Sequence, residues 1–189
     1  MSEAEYLAFE RDPARVNEER SELLAHGEVR QMAGVSLPHN RIVINLTKLV
    51  GALADEAGGL EEFASDLKVR PPACRYFYPD YGLAPDPPQV ADDENDVLLD
   101  PLFNAEILSD STESLDRGEK RDCYLATPSV VEYWLVHQDA MHVERHHRDP
   151  GGDWGFTEYT GPDAAVPLPP VAGGVRLSDL YRRVPGVSG

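Results

Sequence analysis

The segment SLPHNRIVINLTKLVGALADEAGG, residues 36–59, limits the fold more than any other, because it reads as one long helix with a single apolar stripe. Ile42, Leu46, Leu49 and Leu53 recur at helical spacing. Ser36 is placed to cap the helix, Pro38 suits its first turn, and Gly58-Gly59 end it. A helix with one apolar face must lay that face on something. The sequence that follows supplies strands. FASDLKVRPP alternates, with Asp66, Lys68 and Arg70 on one face and Leu67 and Val69 on the other. RYFYPD (75–80) and LFNAEIL (102–108) read as further strands. VVEYWLV (130–136) is apolar on both faces, as a central strand must be, and MHVERHHR (141–148) and WGFTEYT (154–160) read as its antiparallel partners.

Shorter helices are predicted over 3–10, 111–126 and 177–183, and a hairpin over 21–33 turning at His26-Gly27. The order α, ββ, α, βββ, α, βββ, α predicts a mixed α/β or α+β fold around one sheet, as a single domain over residues 1–189. The Pro/Gly-rich stretches 79–96, 149–155 and 161–174 read as loops inside that domain.

A formal net charge of −17 argues against a general nucleic-acid coat. Cys74 and Cys123 form no CxxC pair and no disulfide framework, so a reducing compartment, the cytoplasm, is expected. The N-terminus MSEAEYLAFERDPARVNEER lacks the apolar region of a signal peptide, and no apolar run approaches bilayer length, so no membrane partner is expected.

Four polar residues stand in places that composition does not explain: Glu28 after the hairpin turn, Asp80 after Pro79, Glu106 inside an apolar strand, and Lys120 on the next predicted helix. Carboxylates hold Mg²⁺, the ion activates water and neutralises phosphate, and a lysine stabilises the charged transition state. The set is thus a minimal kit for phosphodiester hydrolysis. Each residue also has a plain reading. Asp80 suits a turn, Glu28 suits a solvated hairpin, and Lys120 lies one turn after Asp116, as in an ordinary helix ion pair. Glu106 resists such a reading, because Leu102, Phe103, Ala105, Ile107 and Leu108 surround it and a lone buried carboxylate is rare. His142, Glu144 and His146 share one predicted strand face, but nothing else supports a zinc site and Cys74 and Cys123 do not join it in sequence, so they are read as a solvated edge hairpin.

Taken in order, EYLAFER, HGEVRQMAG, PHNRIVINL, SDLKVR, YPD, AEILSDSTESLDRGEK and EYWLV resemble the Uma-two family of restriction-endonuclease-like proteins, part of the PD-(D/E)XK superfamily. The resemblance covers nearly the whole chain. It implies a restriction-endonuclease-like core, with a central mixed sheet flanked by helices and added antiparallel hairpins. It implies Asp80 and Glu106 as ligands of Mg²⁺ or Mn²⁺, Glu28 as a further acidic member and Lys120 as the catalytic lysine. The superfamily pattern places lysine two residues after the glutamate; here that residue is Leu108, so the resemblance implies a lysine supplied from the helix instead. His39 matches a recurring histidine and is either a substrate contact or a solvated first-turn residue. Lys68 and Arg70 are expected to contact substrate, with DNA as the expected polymer and a homodimer expected by analogy. The alternatives are a catalytically weak or inactive nucleic-acid-binding or regulatory protein of the same fold, and an enzyme that uses these carboxylates on another substrate.

Overall fold

The computed structural model describes residues 1–15, 18–32, 34–72 and 74–187. In chain order the elements are α1 (Glu3–Glu10), β1 (Ser21–Leu23), β2 (Val29–Gln31), α2 (Leu37–Ala57), β3 (Leu60–Ala64), β4 (Lys68–Val69), β5 (Tyr81–Pro85), β6 (Val97–Leu98), β7 (Phe103–Leu108), α3 (Glu113–Leu115), a π turn (Asp116–Lys120), α4 (Arg121–Ala126), β8 (Glu132–His137), β9 (His142–Arg148), β10 (Trp154–Thr160), β11 (Ala165–Leu168), β12 (Gly173–Arg176) and α5 (Leu177–Leu180). Six strands form the central sheet in the order β10-β9-β8-β7-β5-β3. Only β7 and β8 run parallel within it, so the sheet is mixed and the fold is α+β. No described helix is long and apolar enough to cross a membrane.

The long helix forms where its sequence predicts. The Ser36 hydroxyl accepts from the His39 backbone N–H at 3.2 Å. Ile42, Leu46, Val50 and Ala54 are buried against Leu83, Phe103, Ala105, Ile107 and Trp134 on one face of the sheet. The period of two in β7 sends Asn104, Glu106 and Leu108 to the opposite face. There Leu108 packs with Leu115, Cys123, Tyr124, Tyr133 and Leu135 under α3 and α4. Glu106 therefore lies beneath the helices that follow it in the chain, not beneath α2.

Several expectations need correction. Residues 63–72 are not one strand: β3 ends at Ala64, and the Leu67 N–H closes a turn on the Ala64 carbonyl at 3.0 Å before β4 begins. Residues 75–80 make only isolated bridges, Tyr76 to Leu23 and Phe77 to Val69, so Asp80 precedes a strand rather than ending one. That strand, β5, lies in the stretch 79–96 that reads as a loop, and β11 lies within another such stretch, 161–174. Glycine and proline hide both strands from a propensity reading. At Gly82 the reason is packing: a Cβ there would meet the Phe63 ring at 2.3 Å and the Phe103 carbonyl oxygen at 2.6 Å. The helix expected over 111–126 is broken by the π turn, and Gly118 leaves the helical region within it. Ala33, in the expected hairpin 21–33, lies outside the described residues.

The cysteines also correct the sequence reading. Cys74 and Cys123 are joined by a disulfide, their Cα atoms 6.0 Å apart. A reducing compartment therefore does not follow from the cysteine count. The bond fastens the segment leading to Asp80 onto α4. It closes a loop of 49 residues, for which chain entropy gives about 4 kcal/mol. Urea denaturation of the Cys74→Ser/Cys123→Ser variant is expected to show about 2 to 4 kcal/mol less stability than the oxidised protein, and no further change on adding dithiothreitol.

Candidate active site

The register of the sheet sets the site. Tyr81 pairs with Ala105 across the β5–β7 ladder, so Asp80 stands beside Glu106 where the two strands diverge. The Ile107 backbone N–H donates to Asp80 Oδ2 at 2.7 Å, and His39 Nε2 lies 3.1 Å from the same oxygen. His39 arrives from the first turn of α2 and is buried there, with Nδ1 unpartnered among the described residues. It touches a proposed ligand rather than solvent.

Lys120 comes from the end of the π turn and points inward, 4 % exposed. Its Nζ lies 2.8 Å from Glu22 Oε1, 3.2 Å from Glu106 Oε1 and 3.5 Å from Asp116 Oδ1. The helix pair with Asp116 thus exists, but it is the longest of three contacts. Tyr124, one turn further, donates to Glu106 Oε1 at 3.3 Å. Leu108, where the superfamily pattern places lysine, is buried among apolar side chains. Asp80, Glu106 and Lys120 line one cleft of about 320 Å³ together with Glu22, Asp116 and His39.

Glu28 is exposed at the hairpin turn and does not line the cleft. Its place is taken by Glu22, on the first strand of the same hairpin, whose Oε1 also accepts from the Tyr78 backbone N–H at 3.1 Å. The argument that singles out Glu106, an acid within a buried strand, applies equally to Glu22, since Ser21, Leu23 and Leu24 beside it are all buried. Lys68 and Arg70 do not reach the cleft either. Lys68 is buried with Nζ 2.7 Å from Asp96, and Arg70 faces Glu3 at 3.8 Å. Asp96 is held at a pKa of about 2, because its bonds to Arg11 and Lys68 outweigh the upward push of burial.

The electrostatics of the cleft follow from four carboxylates facing one buried ammonium. Burial pushes Glu106 well above the usual carboxylate range; Lys120 opposes this, while Asp116, Asp80 and Glu22 add to it. Asp116 is raised by burial in the same way. Burial pulls Lys120 down, but Glu106, Glu22 and Asp116 more than reverse it, so its pKa stands well above that of a free lysine. Lys120 is therefore a fixed cation at neutral pH and cannot serve as a base. Asp80 Oδ1 and Glu106 Oε2 have no hydrogen-bond partner among the described residues. Two hard oxygens beside a surplus of negative charge suit a divalent cation of the Mg²⁺ type.

The cluster His137, His142 and Glu144 also brings possible ligand atoms together, all within 4.8 Å of one another. His146, expected on the same strand face, is not part of it. Arg117 already binds both oxygens of Glu144, at 2.5 and 2.6 Å, and the two imidazoles stack 4.1 Å apart with nearly parallel planes. Parallel rings do not aim their nitrogens at one ion, and the guanidinium supplies the cation that Glu144 needs.

A mixed α+β sheet with an acid- and lysine-lined cleft at a strand divergence defines a restriction-endonuclease-like protein. The model of the Uma2 family, described as "Putative restriction endonuclease", matches residues 4–179, and the chain belongs to that family. Two proteins of Synechocystis sp. are similar along most of their length. Uncharacterized protein sll1609 is 32% identical over 169 residues, 88% of this chain and 91% of that protein. Uncharacterized protein slr1290 is 30% identical over 164 residues, 86% of this chain and 82% of that protein. A crystal structure from Anabaena variabilis, described as "a putative nuclease belonging to DUF820", superposes with a TM-score of 0.71. It covers 87% of this chain and 91% of that one at 19% identity, and so speaks for the fold.

Replacing Lys120 tests the charge balance. Glu106 and Asp116 have folded pKa values above their unfolded ones, so ionising them costs stability as pH rises above about 4. Lys120, protonated throughout, offsets that cost. Lys120→Met is expected to lose about 3 to 5 kcal/mol at neutral pH. The deficit should shrink as pH falls toward 4, when the carboxylates take up protons. Thermal melts of both proteins across that range measure it.

Proposed function

We propose that this chain is a divalent-metal-dependent endonuclease that hydrolyses phosphodiester bonds of nucleic acid, with DNA as the expected polymer. The observation that carries this reading is the side-by-side placement of Asp80, just before β5, and Glu106, in β7, with Lys120 Nζ 3.2 Å from Glu106. Asp80 and Glu106 would hold Mg²⁺ or Mn²⁺ through their unengaged oxygens. The bound ion supplies an acidified water and neutralises phosphate charge.

The chain's own residues have separable tasks in this reading. The Ile107 N–H and His39 fix Oδ2 of Asp80, leaving its other oxygen to face the cleft. Lys120 presents a positive charge where negative charge builds up on the scissile phosphate. Glu22 and Asp116 keep that ammonium charged and hold it in place. Tyr124 restrains Glu106 from the α4 side. Asp80, Glu106 and Lys120, three of the four expected members of the hydrolytic set, are buried at one cleft, which argues against the alternative of a decayed site. A homodimer is part of the proposal by analogy alone, and sedimentation velocity tests it.

The activity test is cleavage of plasmid and of labelled single- and double-stranded oligonucleotides, with Mg²⁺, Mn²⁺ or EDTA. Wild type is expected to cut only with metal. Asp80→Ala, Glu106→Ala and Lys120→Ala are expected to lower the rate roughly 100-fold or more. Metal-dependent cutting that survives Asp80→Ala unchanged would end this reading.

A further inference from the structure

The catalytic cleft opens into a second hollow that shares Ser36, Ser109, Asp110 and Gln138 with it. Pro38, at the start of α2, and Pro185-Gly186, beyond α5, are part of the lining of that hollow. The distribution of positive charge gives their position a meaning. The chain has 17 Lys and Arg residues. Ten are engaged in ion pairs, and Arg30 and Arg148 donate to backbone carbonyls. The five without such partners among the described residues are Arg41, Lys48, Arg176, Arg182 and Arg183.

These five are not scattered. Arg41 and Lys48 lie on α2, whose stretch from Leu37 to Val50 carries no acidic residue. Arg176, Arg182 and Arg183 lie in the segment from Gly173 to Val187, where Asp179 is the one acid. The fold brings the two segments together. Asn45, one turn after Arg41, donates from its buried amide to the Leu180 carbonyl at 2.7 Å and the Arg182 carbonyl at 3.0 Å. Leu180 and Tyr181 are buried in the same core as Ile42 and Leu46. Arg182 and Arg183 are left exposed, separated from Pro185-Gly186 by the buried Val184. Arg183 moreover has φ +63°, a left-handed conformation that a glycine or asparagine adopts at lower cost.

We propose that this α2–α5 corner is the surface over which the phosphate backbone of a nucleic-acid strand enters or leaves the catalytic cleft. The inference rests on the nuclease reading and names the contact surface that Lys68 and Arg70 do not provide. In a chain of net charge −17, a polyanion is accepted only where cations are not already neutralised. Asp110, Glu113 and Asp139 also line the second hollow and repel a phosphate there, whereas the cations of the α2–α5 corner attract one. The contact is with backbone phosphates, so it favours no sequence.

The test is fluorescence anisotropy with a fluorescein-labelled DNA oligonucleotide, single-stranded and as its duplex, in Ca²⁺ across a salt series. Arg182→Glu/Arg183→Glu is compared with Arg20→Glu/Arg121→Glu, which carries the same charge change elsewhere; melting curves check that both fold. The corner variant is expected to bind roughly tenfold or more weakly at low salt, and its slope of log affinity against log salt should fall by about 1.4 to 1.8. The control variant should keep the wild-type slope. If wild type binds and cuts but the two variants behave alike, the corner assignment is overturned and the nuclease reading stands. If wild type binds through the corner but never cuts, the nuclease reading fails and the surface remains. If wild type binds neither probe, both fall.

Discussion

The ammonium of Lys120 holds the centre of the molecule together. It sits out of water and reaches Glu22 from the N-terminal hairpin, Glu106 from the middle of the sheet and Asp116 from its own turn. Each of these carboxylates would be expensive to bury alone, and so would the lysine. Together they fix where the hairpin, the sheet and the helix must meet. The cost of a partly satisfied cluster remains in the raised pKa of Glu106 and Asp116 and in the Asp116 Oδ1 atom, buried without a hydrogen bond. That residual negative charge is what a divalent cation in the cleft would relieve.

The helix that delivers Lys120 is shaped for the task. The π turn from Asp116 to Lys120 is wider than an α turn and turns both end residues inward. The Asp116 carbonyl accepts from the buried Tyr133 hydroxyl at 2.9 Å, which ties the widened turn to β8. Cys123 and Tyr124 then fasten α4 from two sides, to Cys74 by the disulfide and to Glu106 by a hydrogen bond. The segment 74–80 is held in the same way: the Tyr76 N–H donates to the Leu23 carbonyl, the Phe77 N–H to the Val69 carbonyl, and the Tyr78 N–H to Glu22. Asp80 therefore stands at the end of a braced segment although no regular strand leads to it.

Much of this was legible along the chain because its signals are local. The stripe on α2, the doubly apolar β8 and the hairpin of β9 with β10 follow from periodicity and burial. Glu106 announced itself by its apolar neighbours, and Lys120 by a resemblance in the segment around it. Glu22 was missed although it carries the same mark as Glu106, because the hairpin's glycine turn drew notice to Glu28. Lys68 and Arg70, expected to contact substrate, lie outside the cleft. Lys68 is buried against Asp96, a partner 28 residues away whose position no local pattern reveals.

The sequence by itself determined the long helix, most of the sheet, the acid inside β7 and the family these features belong to, since each rests on residues close together in the chain. Tertiary structure decided which acid completes the cleft, that β5 is a central strand despite its glycine and proline, that the two cysteines are joined, and which cations remain unpaired among the described residues. These depend on contacts between distant segments. Such contacts are selected by shape and by the cost of burying charge, as where the Phe63 ring takes the place of a side chain at Gly82 and where Lys120 faces three carboxylates at once.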